Sequence, residues 1–297
     1  MTIGYNNSDA VTDLVENLNN LDYVADPAIA TSLHLAQVLE RPLLIEGRAG
    51  VGKTQIAATM SELLDTELIR LQCYEGLDVN AALYEWNYPK QLLWIRMNER
   101  GNLSPSEMET EIFGRQFLLE RPLLAALTKE KAPVLLIDEV DRADEEFEAF
   151  LLEILSEFQV TIPELGTIKA SNKPLVILTS NRTRDLSDAL RRRCLYLWVD
   201  YPELQKELQI VRKKVEGVSE QLARQVCEFV QATRTEGLGR NPGVSETLDW
   251  TTAMVALHMD YLDPEVVTQT VGTLIKDADD LNNFKKTTIE RIIQSIG

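Results

Sequence analysis

The sequence has few cysteines and histidines. Its 297 residues include only Cys73, Cys194, Cys227, His34 and His258. These are too few and too scattered for a disulfide framework or for the ligand spacing of a zinc site. Stability must therefore come from a hydrophobic core, which a chain of this length can build, and we expect a reducing compartment.

Positive charge and long apolar runs are also scarce. The chain has 30 Lys and Arg against 47 Asp and Glu, which gives a net charge of −17. An acidic surface repels phosphate backbones and disfavours broad nucleic-acid binding. No apolar run is long enough to cross a bilayer, and the N-terminus lacks the pattern of a signal peptide. Because 44% of the residues are hydrophobic, we expect a globular, cytoplasmic protein.

Short apolar runs alternate with helix-compatible segments up to residue 200. This alternation predicts an α/β fold around a mostly parallel sheet. A helix is predicted over 53–64, and residues 159–170 (QVTIPELGTIKA) predict a small hairpin with Pro163 and Gly166 at its turn. The predicted strands of the main sheet are residues 42–45, 68–73, 134–137, 175–179 and 195–199.

Residues 74–133 are too many for a simple crossover between two strands. We expect a helix interrupted by an inserted hairpin, with PKQLLWI (89–95) as one strand, and a second helix from about 113 to 129. From residue 201 on, apolar residues recur at helical spacing, with one clear break at GLGRNPG (237–243). The predicted organisation is an N-terminal segment (1–22), an α/β core (23–200) and an all-helical domain (201–297).

Residues 47–54 (GRAGVGKT) match the Walker A phosphate-binding pattern between a predicted strand and a predicted helix. The glycines let backbone N–H groups approach phosphate oxygens, and the helix N-terminus adds a favourable partial charge. Lys53 is expected to bind the β- and γ-phosphates of ATP, and the Thr54 hydroxyl is expected to ligate Mg²⁺. The expected nucleotide-binding residues are Gly47, Ala49, Gly50, Val51, Gly52, Lys53, Thr54 and Gln55.

VLLIDE places Asp138 and Glu139 at the carboxyl end of a strand, where ligands bind in open α/β sheets. We expect Asp138 to orient Mg²⁺ and Glu139 to polarise the attacking water, since phosphoryl transfer depends on positioning and charge neutralisation. The acids that follow form a charge run, which usually faces solvent. They are Asp144, Glu145, Glu146 and Glu148.

Two further segments carry candidate residues. LVILTSN places Asn181 where its amide would orient the attacking water or touch the γ-phosphate, unless it only caps the following turn. Residues 185–194 predict a short helix that ends in Arg191, Arg192 and Arg193, a pattern that the helix dipole alone would justify. Because the three point in different directions, one could reach a neighbouring subunit's nucleotide as an arginine finger, which favours a closed ring.

Taken in order, GRAGVGKT, VLLIDE, LTSN, ALRRRC and a helical domain resemble the AAA+ ATPases. Within them the chain is similar to the CoxD-type branch of the MoxR family over roughly residues 23–260. The segments that carry this likeness are LQCYEGLDVNAALYEWNYPKQLL, LIDEVDRADEEFEAFLLE and LTSNRTRDLSDALRRRCLYLWVDYP. The resemblance implies an αβα P-loop core with a helix-2 insertion within 74–133, a pre-sensor-1 hairpin at 159–170 and a C-terminal helical lid.

The resemblance also implies an ATPase that works as a hexameric ring, as a chaperone or metallo-enzyme maturation factor, with a von Willebrand A domain partner and a protein client. Arg193 is then the expected finger, with Arg192 as its substitute. The residues that take the Walker and sensor-1 roles by the same likeness are Lys53, Thr54, Asp138, Glu139 and Asn181.

The sequence departs from this family at the sensor-2 position. GRNPGVSETLDW has no basic residue at the matching position, so either the displaced Arg240 substitutes or the lid is coupled to hydrolysis differently. Tyr23 and Val24 either line an adenine pocket or pack in the core. The aromatic residues of the insertion either contact a client or pack against the core, the commoner role of such side chains, and no role is assigned to them. They are Tyr84, Trp86, Tyr88 and Trp94.

Two other functions stay open. A nucleic-acid motor or loader would use a local basic surface, and a nucleotide-gated scaffold would bind ATP with negligible hydrolysis. The residues that motivate the basic surface are Arg182, Arg184, Arg191, Arg192 and Arg193.

Overall fold

The computed structural model describes residues 7–98 and 104–296. Residues 1–6 of the predicted N-terminal segment and 99–103 of the predicted insertion lie outside the described residues. The strands are β1 (Leu43–Gly47), β2 (Leu68–Gln72), β3 (Tyr84–Trp86), β4 (Leu118–Glu120), β5 (Val134–Asp138), β6 (Gln159–Ile162), β7 (Gly166–Lys169), β8 (Leu175–Ser180) and β9 (Leu195–Val199). The α-helices are α1 (Asn7–Asn20), α2 (Pro27–Val38), α3 (Lys53–Leu63), α4 (Val79–Ala82), α5 (Tyr88–Asn98), α6 (Pro105–Ile112), α7 (Pro122–Thr128), α8 (Glu145–Glu157), α9 (Asp188–Arg193), α10 (Leu204–Lys214), α11 (Glu220–Thr233), α12 (Val244–Ala256), α13 (Pro264–Thr270), α14 (Ala278–Asn283) and α15 (Lys286–Ser295).

The main sheet has five strands in the order β2-β5-β8-β1-β9. The pairs β2–β5, β5–β8 and β8–β1 are parallel, so these four strands end at the same edge of the sheet. β1 and β5 are buried along their whole length, as strands covered on both faces should be. β2, at the edge of the sheet, instead alternates buried Ile69 and Leu71 with exposed Arg70 and Gln72. The five strands predicted from the apolar runs are therefore confirmed.

Helices α7 and α8 share one hydrophobic core with this sheet. Leu123 and Leu127 of α7, and Phe147, Leu151 and Leu155 of α8, are all buried in it. The α8 helix begins at Asp144, whose carboxylate accepts the N–H of Phe147, and its apolar residues recur at helical spacing. This packing supports the strand β5, which leads directly into the acidic pair.

The prediction for the insertion was wrong in two places. PKQLLWI lies in helix α5, not in a strand, because the Asn87 side chain accepts the N–H of Lys90 at 3.1 Å and Pro89 fits the first helical turn. Residues 113–129 do not form one helix either. Leu118–Glu120 form β4, which pairs antiparallel with β3, and Pro122 begins α7.

The smaller hairpin prediction is confirmed. β6 and β7 pair antiparallel, with Gln159 opposite Lys169 and Ile162 opposite Gly166. Gly166 has φ +78°, a backbone conformation that glycine adopts at little cost, which explains why the turn closes there.

Helices α10 to α15 form the C-terminal helical region. Its core contains Phe229 of α11 and Trp250 of α12, whose rings lie 5.1 Å apart, together with Phe284 and Ile289. The helices predicted after residue 201 are confirmed, but they are interrupted at more places than residues 237–243. α12 ends at Ala256, where His258 adopts φ +56°, so the helix does not continue to Leu262.

The chain divides into two compact units, each built from separate stretches of the sequence. One contains residues up to Val11, Ala28–Glu46 and Ala57–Leu197; the other contains Thr12–Pro27, Gly47–Ile56 and the residues from Trp198 on. The predicted domain limits at 22/23 and 200/201 stay predictions. Throughout residues 7–98 and 104–296, every helix falls short of the length and apolar content that crossing a bilayer requires.

Candidate functional site

The loop between β1 and α3 has the backbone of an anion-binding turn. Gly50 and Gly52 have φ +73° and +89°, in the region that favours glycine. A Cβ on Gly47 would lie 1.9 Å from the carbonyl oxygen of Val199, so only glycine fits there against β9. Helix α3 begins at Lys53, directly after this loop. Such a turn before a helix N-terminus suits phosphate oxygens.

Lys53 is the buried cation of this loop. Its side chain folds back so that Nζ donates to the carbonyl oxygens of Gly47 at 2.8 Å and Arg48 at 2.7 Å. The residue is 6% exposed, whereas Thr54 and Gln55 lie exposed on the next positions of α3. All the predicted nucleotide-binding residues therefore lie on one continuous loop and the helical turn that follows it.

Asp138, at the end of β5, is a buried carboxylate with two fixed partners. Its Oδ1 accepts a hydrogen bond from the Thr179 hydroxyl at 2.5 Å, and its Oδ2 lies 2.6 Å from the Arg70 guanidinium. The Thr179 oxygen in turn accepts the N–H of Glu139 at 2.9 Å. One hydroxyl on β8 thus orients both acidic residues of the motif.

Glu139 has an unusual backbone conformation. It is left-handed, at φ 54° and ψ 50°, which costs a residue other than glycine on the order of 1–3 kcal/mol and is typical of functional sites. Its carboxylate accepts hydrogen bonds from Gln72 at 3.1 Å and Asn181 at 3.3 Å, and pairs with Arg142 at 3.0 Å. The two hydrogen-bond donors and the Arg142 guanidinium fix the direction of this carboxylate.

Asp141 explains why Asn181 reaches Glu139. It is buried, and its carboxylate accepts the N–H groups of Asn181 at 3.2 Å and Thr183 at 2.8 Å and the Thr183 hydroxyl at 2.7 Å. The loop after β8 is therefore tied to the loop after β5, and the Asn181 amide meets Glu139.

The residues predicted to hold magnesium carry hard oxygen donors, a hydroxyl in Thr54 and a carboxylate in Asp138. Mg²⁺ is commonly bound by one or two such protein ligands together with phosphates. Burial, followed by the carboxylates of Asp138, Asp141 and Glu139, raises the pKa of the Cys73 thiol to about 12. Cys73 therefore stays protonated at neutral pH while no metal ion is bound.

The comparisons with known proteins agree with this architecture. Residues 42–194, just over half of the chain, match the AAA domain of the dynein-related subfamily. The chain belongs to this AAA family. Among its relatives, an uncharacterized protein of Staphylococcus epidermidis is 26% identical over 203 residues, which are 66% of this chain and 70% of that protein. An uncharacterized protein of Staphylococcus aureus is 27% identical over the same shares of the two chains.

A solved structure of low identity is also similar. The Thermotoga maritima RuvB Holliday junction branch migration motor is 18% identical, with a TM-score of 0.47, and the match covers 94% of this chain and 76% of that one.

In this AAA domain, two of the three consecutive arginines have intramolecular partners. Arg191 lies 3.4 Å from Glu46, a fully buried acid at the end of β1, and Arg193 donates from Nε to the Ser156 hydroxyl at 2.6 Å. Arg192 is exposed, and no side-chain partner is recorded for it within residues 7–98 and 104–296. Arg41 donates to the carbonyl oxygens of Arg192 and Arg193, which stabilises the end of α9.

The arginines of the suggested basic surface are largely neutralised. Arg182 lies 3.9 Å from Glu46 and 3.8 Å from Asp185, and Arg184 lies 2.5 Å from Glu148. The expectation that Glu148 faces solvent was wrong: it is 1% exposed, because it pairs with Arg184 and accepts the N–H of Ser187 at 2.9 Å. Glu145 and Glu146 are exposed, as expected, and Asp144 caps α8.

Several residues of this AAA domain's site were missed by the sequence analysis. Four of them share one signal, because Glu46, Gln72, Asp141 and Thr179 are polar residues at or just beyond the carboxyl end of a predicted strand of a parallel sheet, where ligands bind, whereas Arg70 lies in the middle of β2. Along the edge strand β2, successive side chains point to opposite faces, so its polar residues share one face and its buried apolar residues share the other. The missed residues are Glu46, Arg70, Gln72, Asp141 and Thr179.

Proposed function

We propose that this AAA protein is an ATP-hydrolysing remodelling ATPase of the MoxR type, acting on protein as a chaperone or metallo-enzyme maturation factor. The observation that carries the hydrolytic part is Glu139, whose backbone is left-handed and whose carboxylate is oriented by two hydrogen-bond donors and an ion pair with Arg142. The residue-by-residue likeness to the CoxD-type branch supports the remodelling part.

Each residue has a defined role in this proposal. Lys53 exchanges its two carbonyl partners for β- and γ-phosphate oxygens, and the N–H groups of the glycine loop bind the remaining phosphate oxygens. Thr54 and Asp138 hold Mg²⁺, which neutralises charge on the phosphates when bound. Glu139 accepts the proton of the attacking water, and Asn181 orients that water through the same carboxylate.

The ring and its partners belong to the same proposal. A finger from a neighbouring subunit requires head-to-tail contacts that close into a ring, which we expect to be a hexamer. Arg193 remains the proposed finger by its place in the motif. Arg192 remains its substitute, and the exposure of its side chain supports that role. The proposed partners are a von Willebrand A domain protein and a protein client.

Two substitutions test the roles of binding and chemistry. Glu139→Gln should leave ATP binding nearly unchanged and lower turnover by about 10²- to 10⁴-fold, since general acid–base catalysis contributes that much. Lys53→Ala should weaken ATP binding itself about tenfold or more, because it removes charge-assisted hydrogen bonds. Phosphate release and ATP titration are measured over a range of protein concentrations that spans ring assembly.

Glu145→Gln, which changes an exposed acid at the start of α8, is the matched control and should behave as wild type. Equal loss of ATP binding in the Lys53 and Glu139 variants would contradict the assigned roles. Wild-type protein that binds ATP and leaves it intact for hours in a single-turnover assay would support the scaffold instead.

The motor that acts on nucleic acid is the weaker candidate, because the Arg182, Arg184 and Arg191 side chains are paired with acids. DNA and RNA, titrated over a range of salt concentrations in the same turnover assay, should not stimulate hydrolysis. Stimulation by either polymer would favour the motor.

A further inference from the structure

Helix α12 of the helical region begins directly against the phosphate-binding loop. The N–H of Ser245 donates to the carbonyl oxygen of Gly50 at 3.1 Å. A Cβ on Gly50 would lie 2.6 Å from the Ser245 hydroxyl oxygen and 3.2 Å from the Cα of Gly243, so the two segments approach each other closely at this point. The contact joins residue 50 to residue 245 within one compact unit.

Position 243 requires glycine because the backbone of residues 49 and 50 lies so close to it, and not because of its own backbone conformation. Its φ of −85° and ψ of −175° are extended values that any residue adopts. A Cβ at this position, however, would lie 2.7 Å from the carbonyl oxygen of Ala49 and 2.9 Å from the Cα of Gly50. Both of these neighbours are backbone atoms of the phosphate-binding loop, which cannot move aside as a flexible side chain would.

A buried ion pair fixes the segment that makes these contacts. The carboxylate of Glu207 and the guanidinium of Arg234 meet through two hydrogen bonds of 2.7 Å, and both side chains are almost fully buried. Arg234 also donates from Nε to the carbonyl oxygen of Pro242 at 2.9 Å. Thr247 donates to Glu207 at 2.7 Å. The guanidinium of Arg234 thus binds Pro242 before Gly243, and the carboxylate of Glu207 binds Thr247 after Ser245, so both ends of the segment are held by one ion pair.

We propose that residues 242–247 position the phosphate-binding loop through backbone contacts, with Arg234 and Glu207 as the positioning residues that fix this segment. Nucleotide binding and the packing of the helical region are then linked, although the segment carries no basic side chain. This inference rests on the proposed function in taking the ligand of the loop to be ATP. It favours the second of the two interpretations left open for the sensor-2 position.

Gly243→Ala in the full chain tests the close approach. A methyl group there should displace the phosphate-binding loop, so ATP with Mg²⁺ should bind about tenfold or more weakly in calorimetric titration, since small misplacements cost that much. In the nucleotide-free protein, amide hydrogen exchange of residues 47–52 should become faster. Gly239→Ala is the matched control, because a Cβ there meets only the Asp280 side chain at 3.6 Å or more and should change neither quantity.

The ion pair is tested with Arg234→Met and Arg234→Lys. Both variants should weaken ATP binding at temperatures well below the thermal midpoint. Lysine should recover part of the affinity because it keeps the positive charge, but not all of it, since it lacks the planar guanidinium that forms two parallel hydrogen bonds. A merely structural role would lower the midpoint and leave the ATP affinity of the folded protein unchanged.

The possible failures are distinguishable. Wild-type affinity and unchanged exchange in Gly243→Ala would overturn the positioning role and leave the proposed function intact. A wild-type protein that binds no ATP would overturn the proposed function, whereas the exchange of residues 47–52 would still show whether the segment positions the loop.

Discussion

The hydroxyl of Thr179 contacts both acidic residues of the site, a role that its position before Ser180 and Asn181 in the sequence does not reveal. Its single hydroxyl donates to Asp138 at 2.5 Å and accepts the N–H of Glu139 at 2.9 Å. The residue is buried, so water cannot replace either bond at no cost. The relative placement of the two acids therefore depends on one side-chain oxygen on a different strand.

Thr179→Val should lower the free energy of unfolding by about 1–3 kcal/mol, because it leaves a buried carboxylate oxygen and a backbone N–H unpaired. ATP turnover should fall about tenfold or more, since the acids lose their common anchor. Chemical denaturation and phosphate release measure the two effects. Thr179→Ser keeps the hydroxyl and should restore most of the turnover; equal turnover in the Val and Ser variants would show that the hydroxyl does not orient the acids.

The raised pKa of Cys227 predicts how the free energy of unfolding changes at alkaline pH. Burial, with a further contribution from Glu207, raises the pKa of its thiol to about 12, although the neighbouring Arg234 and Arg212 act in the opposite direction. The unfolded thiol ionises near its ordinary value of about 8.5. The stabilising effect is thus complete below that value. It is lost as pH rises toward about 12, because the unfolded chain releases a proton that the folded chain retains.

We therefore expect the free energy of unfolding to fall between these two pH values, with Cys227 contributing about 1.4 kcal/mol per pH unit. Cys227→Ala should reduce the slope by that amount, whatever it does to the absolute stability. Denaturant titrations at a series of pH values give the slope. An identical slope in the wild type and the variant would contradict the raised pKa.

Among the elements, α5 shows how local pattern and tertiary structure disagree. PKQLLWI was predicted as one strand of an inserted hairpin, yet it lies in a helix on which Leu92, Leu93 and Met97 are exposed, at 62%, 60% and 76%. The buried face of the helix instead presents Gln91 and Trp94, of which Gln91 donates to the carbonyl oxygen of Ile112 in α6. Apolar content alone did not reveal which side of the segment would be covered.

Between α10 and α11, the Glu207–Arg234 pair supplies a stability prediction that is independent of nucleotide. Arg234→Met leaves the carboxylate of Glu207, which is fully buried, without its cation. Removing one partner of such a pair costs about 3–5 kcal/mol. Denaturation followed by the fluorescence of tryptophans, which include the buried Trp250, measures the loss.

The control for this variant is Arg224→Met on α11. It breaks an exposed pair with Glu228 of the i,i+4 type, for which the expected loss is only about 0.3–0.5 kcal/mol. If the two arginine variants lose equal stability, the buried pair does not hold the helical region together.

At the scale of the whole molecule, the proposed finger predicts complementation between subunits. Subunits that carry Lys53→Ala keep Arg193, and subunits that carry Arg193→Ala keep Lys53. In a mixed ring, some junctions combine an intact phosphate-binding loop with an intact finger, so turnover should return in part although each parent is inactive. Phosphate release is measured across mixing ratios, with light scattering to confirm that both parents assemble.

A mixture of Lys53→Ala with Glu139→Gln is the control, because both lesions lie in the loop-bearing subunit and no junction is complete. It should stay inactive. Mixtures of the finger and loop variants that recover no turnover, with normal assembly of both parents, would rule out a finger that acts between subunits.

The sequence by itself determined the parallel sheet, the glycine-rich turn before α3 and the acidic pair at the end of β5. These features are local: buried strands appear as continuous apolar runs, and glycines at a required spacing mark a turn before a helix. Polar residues at strand ends then place Asp138, Glu139 and Asn181 at the same edge, because parallel strands end together.

Only the tertiary structure decided what orients these residues. Arg70 meets Asp138 across 68 positions of the chain, Thr179 meets the same carboxylate across 41, and Gln72 meets Glu139 across 67. The requirement for glycine at 243 likewise comes from the carbonyl oxygen of Ala49, nearly two hundred positions away in the sequence. Spacing along the chain carries no information about such contacts, since they form only when distant segments pack against one another.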